Sequence, residues 1–226
     1  MFHIHKTEYD WQAWLDTDQI KYLGLYKSSS FEQINHFLRT GVFIKDNHIT
    51  TVEEMQKCVY EIDRAMIPVK KEMRVFRCFA YDLNKLLEDG HEVHNSSYTS
   101  TSLDIQKAAI FHQDGKSNCL FDLTLPPSVR AYPFYKGNEQ EILLERGWKI
   151  SYIHYNGNKK YGGLPKFCFT GTMKKMTKEE IHEEKVRAAD AHRLEMEIAN
   201  AIKERAKQTE ADYLASIEKE LMETAE

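Results

Sequence analysis

Phe31, Ile34, Phe37 and Leu38 recur at the three-and-four spacing of one helix face, with polar residues between them. Ser30 and Gln33 fit a capping box, and Gly41 suits the left-handed position after a last turn, so the pattern predicts a helix over residues 30–39. Val52, Met55, Val59, Ile62 and Met66 repeat the signal behind Thr51-x-x-Glu54, with Pro68 as the stop. The period then shortens. Residues 73–79 read as a strand, Leu83, Leu86 and Leu87 before Gly90 as a short helix, and residues 104–111 as another. Cys119, Phe121, Leu123 and Leu125 alternate up to Pro126-Pro127, which closes a strand. Residues 141–144, 148–155 and 167–172 continue the β pattern, and Asn156-Gly157-Asn158 and Gly162-Gly163 read as turns between the last two. Helices first and mostly antiparallel strands afterwards predict an α+β fold.

The tail changes character. Thr177 and Glu180 form a further capping box, after which nearly fifty residues pass without Gly or Pro. Ala191, Leu194, Ile198, Ile202, Ala206, Tyr213, Ile217 and Leu221 make a narrow apolar stripe, predicting a long amphipathic helix that docks on the body or on a partner helix. The expected division is a domain over residues 1–175, helical over 1–70 and β-rich over 71–175, followed by a helical extension over 176–226.

Composition narrows the class. An apolar fraction of 42% with 12% aromatics in 226 residues argues for a folded domain rather than a disordered chain. From Thr177 onward there are 8 Lys/Arg against 14 Asp/Glu, so the tail offers no basic surface to nucleic acid or to a membrane. Cys58, Cys78, Cys119 and Cys168 are scattered, which suits neither a zinc site nor a disulfide scaffold and points to a reducing compartment. The first residues lack a long apolar core, so no signal peptide is read and a cytoplasmic protein is expected, in its own cell or in a host cell after delivery.

Glu139 and Glu141 occupy alternate positions ahead of Ile142-Leu143-Leu144. In an extended segment both carboxylates would share a face, suiting chemistry in which positive charge develops on a sugar or an attacking nitrogen sheds a proton. Taken alone, such a pair is usually a solvated edge. Upstream stand Val75-Phe76-Arg77 and Tyr98-Thr99-Ser100-Thr101-Ser102. In this order the three segments resemble the mono-ADP-ribosyltransferases of the arginine–serine–glutamate class, the clostridial binary-toxin and C3-exoenzyme type, with relatives among bacteriophage ModA and ModB proteins. Tyr26-x-Ser28 and Ile34-Asn35-x-x-Leu38-Arg39 look like the family's N-terminal helix, and the resemblance covers roughly residues 20–172.

The resemblance implies N-terminal helices packed on a mixed, mostly antiparallel two-sheet β core; the long C-terminal helix lies outside it. It implies NAD as co-substrate, no metal, and a target protein as partner. Arg77 would bind the pyrophosphate bidentately, with Ser100, Thr101, Ser102 and Phe111 as further NAD contacts. Glu141 would hold the ribose and stabilise its developing charge, with Ser100 fixing the Glu141 rotamer. Glu139 would serve the incoming arginine, since relatives that modify asparagine carry glutamine there. Tyr135 falls where the family recognises its acceptor, though packing or simple exposure fits it as well. Arg74 competes with Arg77 for the phosphate role, Cys78 stands where relatives carry glycine, and Phe111 also suits the core. Glu145 reads as structural. His3 and His5 read as incidental, and His91 and His94 as loop residues. Two rival functions remain, an NAD glycohydrolase and an inactive interaction protein acting through its tail.

Overall fold

The computed structural model describes residues 14–110, 118–127, 129–134 and 140–223, with side chains described as far as residue 209. The first helix among the described residues, α1 (Thr17–Leu25), starts earlier than the sequence predicts. Asp16 accepts from the Gln19 amide at 2.9 Å and donates its own amide to Gln19 Oε1 at 3.0 Å, a reciprocal capping box. The run continues through a π-helical turn, Tyr26–Ser30, into α2 (Phe31–Thr40). Ser30 therefore does not cap α2; it is buried inside a continuous helical run and makes no side-chain cap. Gly41 does end that run, at φ 74° with its amide 2.8 Å from the Phe37 carbonyl. Thr51 caps α3 (Val52–Ala65) through the Glu54 amide. One core cluster joins Tyr22, Leu38, Met55 and Ile62 of these helices to Tyr98 and Leu143 of the sheet.

Nine strands follow among the described residues: β1 (Ile67–Pro68), β2 (Met73–Phe79), β3 (Val93–Asn95), β4 (Thr99–Ser102), β5 (Cys119–Leu125), β6 (Arg130–Phe134), β7 (Glu141–Leu144), β8 (Trp148–Tyr161) and β9 (Leu164–Lys175). Short helices α4 (Leu83–Leu86) and α5 (Ile105–Ile110) interrupt them. The order is β1-β6-β7-β4-β2-β5-β9-β8-β3, and every described pairing except β5 with β9 is antiparallel. The ladders thus link into one order where two sheets were expected. The link between halves is slender: β2 meets β4 at a single pair, Phe76 opposite Ser102.

Asn156-Gly157-Asn158 does not turn the chain. Strand β8 runs through it with register shifts at Ser151/His154 and Tyr155/Asn158, and Gly157 takes φ 86°. Gly162 and Gly163, at φ 55° and 83°, make the whole hairpin turn to β9. Beneath the hairpin, Phe121, Leu123, Trp148, Ile150 and Phe169 form the second cluster, and Cys78, Ala109, Leu120 and Cys168 belong to a third.

The last helix, α6 (Lys178–Glu223), opens on the predicted box: Thr177 Oγ1 accepts from the Glu180 amide and Glu180 Oε2 from the Thr177 amide. Lys149 ties Glu180 (2.6 Å) to Glu92 (2.7 Å). The chain divides into two compact units, Met1–Lys185 and Val186–Glu226, so the boundary lies inside α6. In the second unit Leu194, Ile198 and Ile202 are exposed. Among the described residues no helix is long and apolar enough to cross a membrane.

Candidate active site

Where the two halves of the sheet part, a cleft of about 670 Å³ opens beside the helical run. Arg77 enters it from β2, Ser100 from β4, Glu141 from the first residue of β7, and Lys27, Asn35 and Arg39 from the helices. Arg77 donates to the Ser100 carbonyl, and its guanidinium lies 5.7 Å from the Phe79 ring. Burial pulls the Arg77 guanidinium below its ordinary pKa, and the nearby Arg39 charge adds to this against Tyr26 and Glu141. Arg74, the rival for the phosphate role, is exposed and paired with Asp122, and it is absent from the cleft lining.

Ser102 stands directly opposite Glu141 in the β4–β7 ladder, and Ser100 is opposite Leu143. Ser100 is therefore the diagonal neighbour of Glu141 on the same face. Its hydroxyl pairs with the Tyr26 phenol, which also accepts from Asn35 Nδ2 at 2.9 Å. Burial holds that phenol above its ordinary pKa. Thr101 donates to the Ile142 carbonyl at 2.8 Å, and Ser102 Oγ accepts from the Asp104 amide at the start of α5. Those two bonds secure strand and helix, while Ser100 is tied to Tyr26 in the cleft.

Glu141 is buried, and its carboxylate forms an ion pair with Lys27. No sequence signal marked Lys27; it sits in the π-helical turn, whose extra residue alters which side chains face the cleft. Gln33 Oε1 and Asn35 Oδ1, both on residues lining the cleft, are buried acceptors without a hydrogen-bond partner among the described residues.

Glu139, Tyr135 and Phe111 lie outside the described residues, as do His3 and His5. Gln140 has φ 48°, so the backbone just before Glu141 is not extended and alternation along a strand does not apply there. Cys78 lines the cleft wall, and burial pushes its thiol up. Tyr132 packs in the first core cluster. Glu145 accepts from the Arg130 amide and pairs with Lys175, a structural role. His91 meets the Tyr81 hydroxyl at 3.1 Å, and His94 faces Glu92 at 3.5 Å. Glu92, His94 and Glu180 have ligand atoms within 4.8 Å of one another, but Lys149 already bonds both carboxylates.

Comparison with known proteins gives a family and a fold. The family profile described as ADP-ribosyltransferase exoenzyme matches residues 4–190. No curated protein matches the sequence. The enzymatic component C2-I of the Clostridium botulinum C2 toxin aligns at TM-score 0.60 and 19% identity, over 76% of this chain and 46% of that one. BECa, an ADP-ribosylating toxin of a C. perfringens binary enterotoxin whose structure holds NADH, aligns at TM-score 0.57 and 17% identity, over 75% and 46%. The chain thus spans about half the length of those two proteins. C3larvin, an ADP-ribosyltransferase from Paenibacillus larvae, aligns at TM-score 0.51 and 18% identity, over 75% of this chain and 94% of that one. At such identities the likeness is one of fold. The profile match takes in the helical run, all nine strands and the cleft between them, and on that extent the chain belongs to the ADP-ribosyltransferase exoenzyme family.

Proposed function

We propose that this protein is a mono-ADP-ribosyltransferase that uses NAD and modifies an arginine side chain of a target protein. The observation that carries the reading is the meeting of Arg77, Ser100 and Glu141 in one cleft, in a chain of this family. The cleft suits NAD chemically. Two guanidiniums, Arg77 and Arg39, match a pyrophosphate, and the unpartnered acceptors of Gln33 and Asn35 suit donors of a polar ligand. NAD supplies the ADP-ribosyl group, with nicotinamide leaving on the electron pair of the glycosidic bond.

Arg77 grips the pyrophosphate through its planar fork, a geometry lysine lacks. Glu141 holds a fixed negative charge beside the ribose, where positive charge grows as the bond to nicotinamide lengthens. Lys27 must part from Glu141 for that to happen. Ser100, diagonal to Glu141 and bonded to Tyr26 in this structure, turns to orient the Glu141 side chain, while Thr101, Ser102 and Phe111 complete the NAD contacts. Arginine stays protonated at neutral pH, so its nitrogen must lose a proton as it attacks; Glu139 accepts that proton, and Tyr135 meets the target.

Incubation with labelled NAD and a cell lysate, followed by mass spectrometry, is expected to locate ADP-ribose on arginine. Labelling confined to other residues sinks the acceptor assignment. Glu139→Gln is expected to keep nicotinamide release and lose transfer; equal loss of both removes the role given to Glu139. Nicotinamide release without any labelled protein would make the activity hydrolysis. A chain that binds no NAD would instead be an interaction protein working through its tail.

A further inference from the structure

From Val186 onward α6 is a compact unit of its own, and none of its described side chains is buried. Leu194 (57%), Ile198 (52%) and Ile202 (64%) stand exposed to water. They belong to the apolar stripe that begins at Ala191, and its spacing is regular. Steps of three, four, four and four residues lead from Ala191 to Ala206, and the same steps lead from Ala206 to Leu221, with Thr209 the one polar position. Thirty residues thus take eight turns, about 3.75 residues each, which is more than the 3.6 of an α-helix. A stripe with that spacing drifts around the helix. It stays in continuous contact with a second helix when the two wind right-handed about each other. Charge is uneven along the same stretch. Residues 186–207 carry 5 Lys/Arg against 4 Asp/Glu, and residues 208–223 carry 1 against 5.

These patterns select both the partner and the direction. We propose that α6 pairs with α6 of a second copy of this chain, antiparallel about Ala206 and winding right-handed along the stripe. A parallel pair in register would set the acidic stretch 208–223 against itself, and like charges side by side oppose association. The antiparallel pair sets it against 186–207 instead. About Ala206, positions 218 and 220 flank Arg193 of the second copy, so Glu218 and Glu220 both meet a cation there. Glu210 comes level with Lys203 of the second copy in the same way. Arg193 and Lys207 pair with Asp190 and Glu204 along their own helix, and these exposed bonds are weak enough to be shared with a partner. The stripe is also complementary in size. Leu221 falls level with Ala191 and Ile217 beside Leu194, while Ala206 meets itself at the centre, where small residues let two helices approach. The helix dipoles oppose each other as well, which favours this direction. Nothing in the proposal depends on the chemistry of the cleft.

The test is sedimentation equilibrium of the full chain across a wide concentration range at low salt, where exposed charges are least screened. A monomer–dimer equilibrium is expected. Ile198→Glu should raise the dimer Kd roughly tenfold or more, since the change enters the interface twice. Circular dichroism checks that the variant keeps its helix; if it does not, the charge variants decide. Arg193→Glu alone and Glu218→Arg with Glu220→Arg should each weaken the dimer, and the three changes together should restore it. Loss of the local pair between Arg193 and Asp190 gives no such rescue, because the compensating changes lie in the other half of the helix. A chain that is monomeric at every concentration overturns the pairing. If Ile198→Glu then lowers the stability of that monomer, the stripe is covered by the chain's own body. A dimer indifferent to Ile198→Glu is held together elsewhere and equally overturns the proposal. A dimer weakened by both sets of charge changes and not restored by their combination overturns the antiparallel direction.

Discussion

Glu141 sits almost out of water at the first position of β7, and a carboxylate there is tolerable only with a partner. Lys27 is that partner, and its ammonium also lies 5.6 Å from the Phe134 ring. Any catalytic use of Glu141 is then an exchange, in which one positive charge beside it is replaced by another as charge grows on the ribose. Glu141→Gln keeps the shape and removes the charge. We expect kcat for nicotinamide release to fall roughly 10²–10³-fold, with NAD affinity by calorimetry changing only a few-fold. A loss of affinity as large as the loss of rate would mean that Glu141 acts in ground-state binding instead. Arg77, Ser100 and Glu141 could be singled out in the sequence because they stand in three short motifs in a set order, and all three line the one cleft. Lys27 was not, because a lysine between Tyr26 and Ser28 means nothing until the helix widens there.

In the β8–β9 hairpin, Gly171 of β9 lies against Ile150 of β8. A Cβ at Gly171 would stand 2.5 Å from Ile150 Cγ2, a branched methyl with little room to move. Gly171→Ala should lower stability by about 1–3 kcal/mol, read as a fall in the urea midpoint at unchanged slope. At the outer end of the hairpin, burial raises the Glu92 carboxyl, but hydrogen bonds from Lys149 and Ser151 outweigh it and hold it down to about 2. A depressed carboxyl contributes stability above its unfolded pKa and loses it as pH falls from there toward about 2. Between pH 5 and pH 2.5 the parent protein should therefore lose about 1–2 kcal/mol more stability than Lys149→Met; parallel pH profiles would refute this. These elements show what the sequence could convey. Alternation gave β5 its limits and short apolar runs gave β2 and β7 theirs, but β6 escaped notice because Pro133 interrupts its pattern, and two bulges carry β8 through a glycine that read as a turn. Helix α1 was hidden, despite the capping pair Asp16 and Gln19, because Ile20, Tyr22, Leu23 and Leu25 spread around the helix and form no single apolar face.

Across the whole molecule, all three core clusters fall within Met1–Lys185, whereas Val186–Glu226 continues a helix whose Leu194, Ile198 and Ile202 are exposed. At 1.5 Å per residue, the 46 residues of α6 span about 69 Å. An isolated helix must first form a turn at a cost of about 4 kcal/mol before each further residue adds a bond. Helix α6 is spared that step. Thr177, Glu180 and Lys149 hold its first turn closed as part of the first unit, so the remainder grows from a ready nucleus and unwinds from the far side. Amide exchange should then slow least near Glu223 and most over residues 178–185. Thr177→Ala should speed exchange along the length of α6, and an effect confined to the first turn would show that the distal helix starts on its own.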